Sequence, residues 1–102
     1  MNDIDLTKCK GFQWDEGNSE KNWIKHKVSK TECEQVFFNH PLVVRHDSEH
    51  SAEHEIRFFV LGHTDRGRLL FIVFTVRDRL IRVISARDMS KRERGIYIDV
   101  ET

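Results

Sequence analysis

The chain has little proline and glycine, few cysteines and no long apolar run. It has one proline and five glycines among 102 residues, and 33% of the residues are charged, which excludes collagen-like and low-complexity proteins. No apolar run approaches the roughly 20 residues of a membrane-spanning helix, and the first residues lack the basic and then apolar pattern of a signal peptide. We therefore expect a globular cytoplasmic protein, with residues 1–102 as a single domain and residues 1–9 as a frayed start.

Only two cysteines are present, Cys9 and Cys33. They lack a Cys-x-x-Cys spacing, and nothing in the sequence indicates secretion, so free thiols are a better interpretation than a disulfide. Cys33 falls at an apolar position of a predicted helix and is interpreted as a small core residue. The sequence predicts no cofactor.

Neither sign of charge is in excess, because 17 Lys and Arg residues balance 17 Asp and Glu residues. The two halves differ, however. Residues 1–56 carry seven basic and eleven acidic side chains, whereas residues 57–102 carry ten basic and six acidic ones. The basic second half is a candidate polyanion-binding region, although mixed surface charge is also common in proteins that bind no polyanion.

Helical patterns occupy most of the first half. Asp15 is suited to be the N-cap of a helix over residues 16–26. Ser29 and Glu32 form a capping box, which predicts the start of a second helix that ends before Pro41.

After Pro41 the apolar pattern becomes that of strands, and a last helix is predicted from a second capping box, Ser90 with Glu93, to about Tyr97. The predicted order is β-α-α-β-β-β-β-α, an α+β fold of mostly antiparallel strands. Its arginine-studded last strand runs directly into the basic helix. The predicted strands cover residues 10–14, 42–44, 56–62, 69–76 and 79–87.

A set of segments spread in order over residues 12–97 resembles the BrnT family, the toxin half of a bacterial toxin–antitoxin pair. The resemblance implies a RelE-like α+β fold, in which a four- to five-stranded meander is packed by two N-terminal helices and a short C-terminal helix. It also implies ribonuclease activity that arrests translation. A BrnA-type antitoxin with a ribbon-helix-helix domain would neutralise the protein, and the protein would bind operator DNA only through this antitoxin. The segments are Phe12-x-Trp14-Asp15, Asn22-x-x-Lys25-His26-x-Val28-Ser29, Val36-Phe37 with Pro41, Glu55-x-Arg57-Phe58, Leu61-Gly62 with Gly67-Arg68-Leu69-Leu70, and Arg82-Val83-Ile84-Ser85-Ala86-Arg87 with Glu93-Arg94 and Tyr97.

Two positions depart from the family pattern. Asn18 stands where the family usually has a lysine, and Lys27 stands where it usually has a glycine. A glycine would supply a left-handed C-cap, so Lys27 predicts a mildly strained or differently shaped helix end.

Arginines are the first candidates for contacts with RNA phosphate. Metal-independent RNA cleavage needs a base for the 2′-hydroxyl, cations for the phosphorane and an acid for the leaving oxygen, and the resemblance implies that arginines, lysines and a tyrosine supply them. Arg57, Arg82 and Arg87 are the first choices, because a guanidinium can bind two phosphate oxygens at once.

The rest of the predicted catalytic set is Lys25, His26, Glu93 and Tyr97. Histidine titrates near neutral pH, which suits proton transfer, and residues 93 and 97 share a helix face. Each role has a structural alternative: Arg82 can pair with an acidic neighbour across the sheet, Glu93 can serve only its capping box, and Tyr97 can be a core residue with its hydroxyl at the surface. Additional phosphate contacts are predicted from Arg68, Lys91, Arg92 and Arg94.

Strand geometry constrains this set. Because side chains alternate along a strand, Arg82 and Arg87 lie on opposite faces of a regular strand. A bulge near Ser85 would bring them to one face.

Three histidines form a competing constellation. His46, His50 and His54 are spaced by four, and residues 50–54 match the His-x-x-Glu-His pattern of some zinc peptidases. That chemistry needs a helix to present both imidazoles on one side, whereas this stretch has no apolar face and lies between two strands. A polar loop is the preferred interpretation, and no metal site is predicted.

The sequence therefore predicts an endoribonuclease toxin. The alternative, from a different class, is a catalytically weak module that binds the antitoxin and assists repression.

Overall fold

The computed structural model describes residues 4–101, except the side chains of Ser19, Ile24 and Glu101. A short 3-10 helix, Leu6–Lys8, lies in the stretch expected to be a frayed start. The predicted order of helices and strands is confirmed. The elements are β1 Gly11–Phe12, α1 Glu16–His26, α2 Lys30–Phe38, β2 Val43–His46, β3 Phe58–His63, β4 Leu69–Arg77, β5 Leu80–Asp88 and α3 Lys91–Glu101.

The helices begin at the predicted capping residues. Asp15 accepts a hydrogen bond from the Asn18 amide at 2.9 Å, and the Ser29 hydroxyl accepts one from the Glu32 amide at 3.1 Å. Ser90 caps α3 in the same way. Each bond satisfies an amide that the first helical turn leaves without a partner, so the local sequence is sufficient to place these helix starts.

The five strands form one sheet in the order β1-β5-β4-β3-β2. Strands β2 to β5 are an antiparallel meander, and β1 adds a short parallel edge, with Gly11 opposite Leu80. The predicted α+β class with a mostly antiparallel meander is therefore confirmed.

Some predicted boundaries are wrong by two to four residues. Strand β3 begins at Phe58 rather than at residue 56, because loop groups bind the backbone of Arg57: its amide donates to Ser51 Oγ at 2.9 Å, and its carbonyl accepts from the Asp47 amide at 2.8 Å. Helix α3 continues to residue 101 instead of ending near Tyr97. No glycine or proline follows Tyr97 to end it.

The core lies on both sides of the sheet. On the side that we call the α1/α2 face, Val36 of α2 packs with buried strand residues such as Val60, Ile72 and Val83. On the opposite side, the α3 face, Tyr97 packs against Val43, Leu61 and Met89. Helix α3 thus covers only the end of its face near these residues.

The end of α1 shows how Lys27 replaces the usual glycine. Lys27 itself adopts the left-handed conformation, with φ 56° and ψ 40°, which costs a non-glycine residue roughly 1–2 kcal/mol. Its amide donates to Trp23 O at 2.9 Å, and its carbonyl accepts from Arg68 at 2.8 Å. The predicted strained helix end is confirmed, and Arg68 helps to hold it.

Replacing Gly62 with alanine is expected to lower the free energy of unfolding by about 1–3 kcal/mol. Its Cβ would lie 2.7 Å from Val36 Cγ1 and 3.2 Å from Leu42 Cδ1, so α2 would have to move from the sheet. Gly95→Ala is the matched control: it has open space around it on α3 and should raise stability by up to about 1 kcal/mol. Urea unfolding of both variants measures the two effects, and equal midpoints would contradict the prediction.

Candidate functional site

A β-bulge in β5 brings Arg82 and Arg87 to the same face of the sheet. Val73 pairs with Ser85, but the next residue, Phe74, pairs with Val83, so Ile84 is an extra residue. Inserting one residue reverses the side-chain alternation beyond it. The bulge that the two arginines require in order to share a face is therefore present near Ser85.

Cross-strand pairs place the surrounding side chains on the α3 face. Directly paired residues point to the same face, and Phe71, which packs against the Tyr97 cluster, pairs with Arg87. We call the part of this face that extends beyond α3 the arginine patch. It comprises three rows of paired residues across the sheet. The first row is Arg82 and Thr75, the second is Ser85, Val73, Phe59 and Arg45, and the third is Arg87 and Phe71.

Arg87 has two partners at the boundary between the patch and α3. Its guanidinium lies 4.2 Å from the centre of the Phe71 ring and donates to both carboxylate oxygens of Glu93, at 2.8 and 3.0 Å. Burial raises the pKa of Glu93, but the hydrogen bonds from Arg87 and from the Ser90 amide outweigh it, so the pKa lies below its usual value. Glu93 is thus a carboxylate at neutral pH, next to an arginine that has phosphate-binding geometry.

The other predicted arginines are also paired. Arg82 lies 2.8 Å from Asp15, the N-cap of α1. Arg57 lies at the start of β3 and contacts Glu55 at 3.4 Å, a carboxylate that Arg77 binds more closely, at 2.8 Å. Arg57 Nε is buried and has no hydrogen-bond partner among the described residues. Each of these two arginines therefore has at least one donor on a carboxylate, and a phosphate that takes up that donor must displace the carboxylate.

Tyr97 is a core residue, but its hydroxyl is enclosed rather than at the surface, where the structural alternative placed it. It is fully buried, and its hydroxyl donates to Pro41 O at 2.6 Å. The same oxygen lies 2.8 Å from His63 Nδ1, and since the hydroxyl proton points to Pro41, His63 must be the donor in that contact. Glu93 and Tyr97 both face the sheet, but only Glu93 reaches the patch.

Lys25 and His26 lie at the C-terminal end of α1, where Arg68 joins three elements. Arg68 donates to Asp88 at 2.7 Å, to Glu32 at 3.1 Å and to the carbonyl of His26 at 3.2 Å. Hydrogen bonding to Asp88 is the main cause of its raised pKa. With its donors used within the chain, Arg68 ties α1, α2 and β5 together, whereas Lys25 is exposed.

The remaining predicted phosphate-binding residues lie on α3. Lys91, Arg92 and Arg94 are exposed. Arg92 also lines a groove of about 320 Å³ between α3 and the sheet. The groove shares Phe59, Phe71, Arg45 and Glu93 with the patch and its boundary, so the two form one continuous surface.

The histidine-rich stretch is a loop from residue 47 onward, as predicted, but His46, which was predicted to begin the loop, is the last residue of β2. Residues 47–57 contain turns and an isolated bridge but no helix, and His50 contacts Asp47 at 3.0 Å. Within residues 4–101, no three His, Cys, Asp or Glu side chains lie close enough together to hold a metal ion.

Sequence reasoning missed the aromatic floor of the patch and two polar residues of α1. Phe59 and Phe71 stack with centroids 5.3 Å apart, and they are apolar residues of strands whose exposed face cannot be read from composition. Asn18 and Asn22 are almost completely buried and bind the edge of β5. Their spacing of four on one helix face was the available signal.

The family comparison is consistent with this geometry. Residues 14–93 match the family described as the ribonuclease toxin, BrnT, of type II toxin–antitoxin systems. No curated protein matches the chain. None of the helices described is long and apolar enough to cross a membrane.

Proposed function

The chain belongs to the BrnT family of ribonuclease toxins of type II toxin–antitoxin systems, and from that premise we propose that it is an endoribonuclease that binds and cleaves RNA at the arginine patch. The observation that carries the proposal is the bulge, which gathers Arg82 and Arg87 on one face. Two guanidinium groups on one face can bind successive charges of an RNA backbone. Between them, Phe59 and Phe71 offer surfaces on which bases can stack.

The proposed chemistry uses the pair formed by Arg87 and Glu93. An RNA phosphate displaces Glu93 from Arg87, and this removes a hydrogen bond that lowers the pKa of Glu93. The freed carboxylate accepts the proton of the 2′-hydroxyl as the 2′-oxygen bonds to phosphorus and forms a 2′,3′-cyclic phosphate, while the bond to the 5′-oxygen breaks and that oxygen takes a proton from water. Arg82 and Arg87 stabilise the extra negative charge of the phosphorane.

Other features of the proposal depend on the family. Cleavage proceeds without a metal ion, the loss of RNA arrests translation in the cytoplasm, and a BrnA-type ribbon-helix-helix antitoxin neutralises the protein and carries it to operator DNA. Arg57, Lys25 and His26 remain proposed contributors to catalysis, and Lys91, Arg92 and Arg94 are proposed to contact phosphate along α3.

One observation favours the second candidate function, a catalytically weak module that binds the antitoxin and assists repression. Arg57, Arg82 and Arg87 all pair with carboxylates in the structure, and the Tyr97 hydroxyl is enclosed in the core. A patch in which Arg82 and Arg87 are already paired with carboxylates suits a protein partner as well as it suits RNA.

Incubation of the purified protein with RNA in EDTA separates the two functions. We expect cleavage that is unaffected by EDTA, because the patch supplies cations and a base from its own side chains. Intact RNA with a sample that unfolds cooperatively would favour the binding module. Cleavage that occurs without EDTA and is lost in its presence would instead indicate a metal-dependent nuclease.

A further inference from the structure

Among residues 4–101, most of the outer edge of β5 has no neighbouring strand. Strand β1 pairs with β5 only at Leu80 and Ile81, and the last backbone contact along this edge runs from the Gln13 amide to Ile81 O at 2.8 Å. From Val83 onward, helix α1 lies beside the edge instead. Backbone groups at such an edge need other partners, since unpaired buried groups are costly.

Two asparagines of α1 supply these partners. Asn18 Nδ2 donates to Val83 O at 3.0 Å, and Asn22 Oδ1 accepts from the Ala86 amide at 2.9 Å. The two contacts lie on either side of Ile84, the extra residue of the bulge. We call Asn18 and Asn22 the asparagine clamp.

Each amide of the clamp is held in one orientation. Asn18 Oδ1 accepts from the Asp15 amide at 2.7 Å, so its nitrogen must face β5. Asn22 Nδ2 donates to Asn18 O at 2.9 Å, so its oxygen must face Ala86. Turning either amide over would place donor against donor or acceptor against acceptor, and both residues are more than nine-tenths buried.

We propose that Asn22 is a positioning residue for RNA cleavage, which holds the bulge of β5 and thereby keeps Arg87 on the same face as Arg82. The inference rests on the proposed function of the arginine patch. If the Ala86 amide loses its hydrogen bond to Asn22, β5 can shift by one residue relative to β4, and such a shift turns residues beyond the bulge to the opposite face. Arg87 would then leave Phe71 and Glu93, although no atom of Asn22 touches the patch.

Asn22→Ala tests the proposal, with Asn39→Ala as the matched control. Asn39 also binds the backbone of a strand, but as a donor and at the end of β3: its Nδ2 lies 3.0 Å from His63 O, and β4 separates β3 from β5. At a temperature where both variants are folded, Asn22→Ala should lower kcat roughly 10- to 100-fold with little change in KM. Asn39→Ala should retain the wild-type kcat even where it lowers stability.

Two further variants keep the test decisive. Asn22→Asp retains an oxygen that accepts from Ala86 but sets its second oxygen against Asn18 O, so it should be less stable and, at a temperature where it is folded, keep most of the kcat that alanine loses. Asn18→Asp retains the capping oxygen for Asp15 but replaces the donor to Val83 O with an acceptor, so it should be less stable and, at a temperature where it is folded, lose kcat as Asn22→Ala does. Should Asn22→Ala fail to fold, Asn18→Asp carries the test.

An NMR measurement, which does not depend on cleavage, tests this inference separately from the proposed function. In the wild type, the Phe71 ring should shift the NMR resonances of the Arg87 side chain, and the Ala86 amide should exchange slowly. Both signatures should disappear in Asn22→Ala and persist in Asn39→Ala. Unchanged signatures and kcat in the Asn22 variant would overturn the positioning role. If instead both signatures disappear in Asn22→Ala, while cleavage survives in Asn22→Ala and also in Arg87→Ala, then Asn22 does position Arg87 but the arginine patch is not the site of cleavage.

Discussion

Arg87→Ala is expected to lower the rate of RNA cleavage by about 100-fold or more, the usual cost of removing a group that stabilises transition-state charge. Of the three arginines predicted to be catalytic, Arg87 has the most favourable geometry, since it lies over Phe71 at 4.2 Å and presents two donors to one carboxylate. Those two donors would bind two phosphate oxygens. Cleavage of a labelled RNA by purified protein measures the loss, and relief of growth arrest in cells follows from it.

Controls separate the role of the site from that of charge. Arg66→Ala removes the same charge from the exposed turn between β3 and β4 and should leave cleavage unchanged. Arg87→Lys keeps the charge but loses the bidentate geometry, so an intermediate rate is expected. Wild-type cleavage by both Arg87→Ala and Arg82→Ala would show that the patch is not the site.

Glu93→Gln distinguishes a base from a structural partner in the same assay. Glutamine at this position still completes the capping box with Ser90, so the start of α3 should persist. If Glu93 accepts the 2′-hydroxyl proton, cleavage falls about 100-fold while RNA binding is retained. A variant that cleaves faster than the wild type would show instead that Glu93 only competes with phosphate for Arg87.

Arg68→Met is expected to lower the free energy of unfolding by about 3 kcal/mol at neutral pH. It leaves Glu32 and the carbonyls of His26 and Lys27 without their guanidinium partner. Most of the loss comes from these groups, because the fourth partner, Asp88, is largely exposed and its ion pair is weakened by solvent. Urea unfolding monitored by circular dichroism measures the difference.

The effect of Arg68 should depend on pH. The hydrogen bond from Arg68 lowers the pKa of Asp88. For Glu32, burial raises the pKa, but the bonds from the Ser29 amide and from Arg68 outweigh it. A carboxyl group whose pKa is lowered by folding stabilises the folded state above its unfolded pKa, near 4, and loses that contribution as pH falls. The stability difference between wild type and Arg68→Met should therefore be largest at neutral pH and shrink below about pH 4.

Arg77→Met is the matched control for this prediction. Arg77 also pairs with a carboxylate, Glu55, at 2.8 Å, but it is about half exposed. An exposed pair of this kind contributes at most about 1 kcal/mol. Equal losses for Arg68→Met and Arg77→Met would show that the contacts of Arg68 with the helix-end carbonyls contribute little.

The sequence by itself determined the elements whose causes are local. Capping residues such as Ser29 place helix starts because they bind amides only three positions away. The change from helical to strand periodicity at Pro41 separates the two parts of the fold. These signals, with the family resemblance, were sufficient for the α+β class and for the order of the elements.

The tertiary structure decided what the arginines face and what they bind. The alternation of side chains along a strand indicated only that Arg82 and Arg87 need a bulge to share a face. The bulge itself, with Ile84 as the extra residue, depends on pairing with β4 and on two asparagines of a helix that is distant in sequence. The role of Arg68 as a tie between α1, α2 and β5, and the enclosure of the Tyr97 hydroxyl, depend on partners remote in sequence. Local sequence cannot specify such contacts, because they exist only once the elements have packed together.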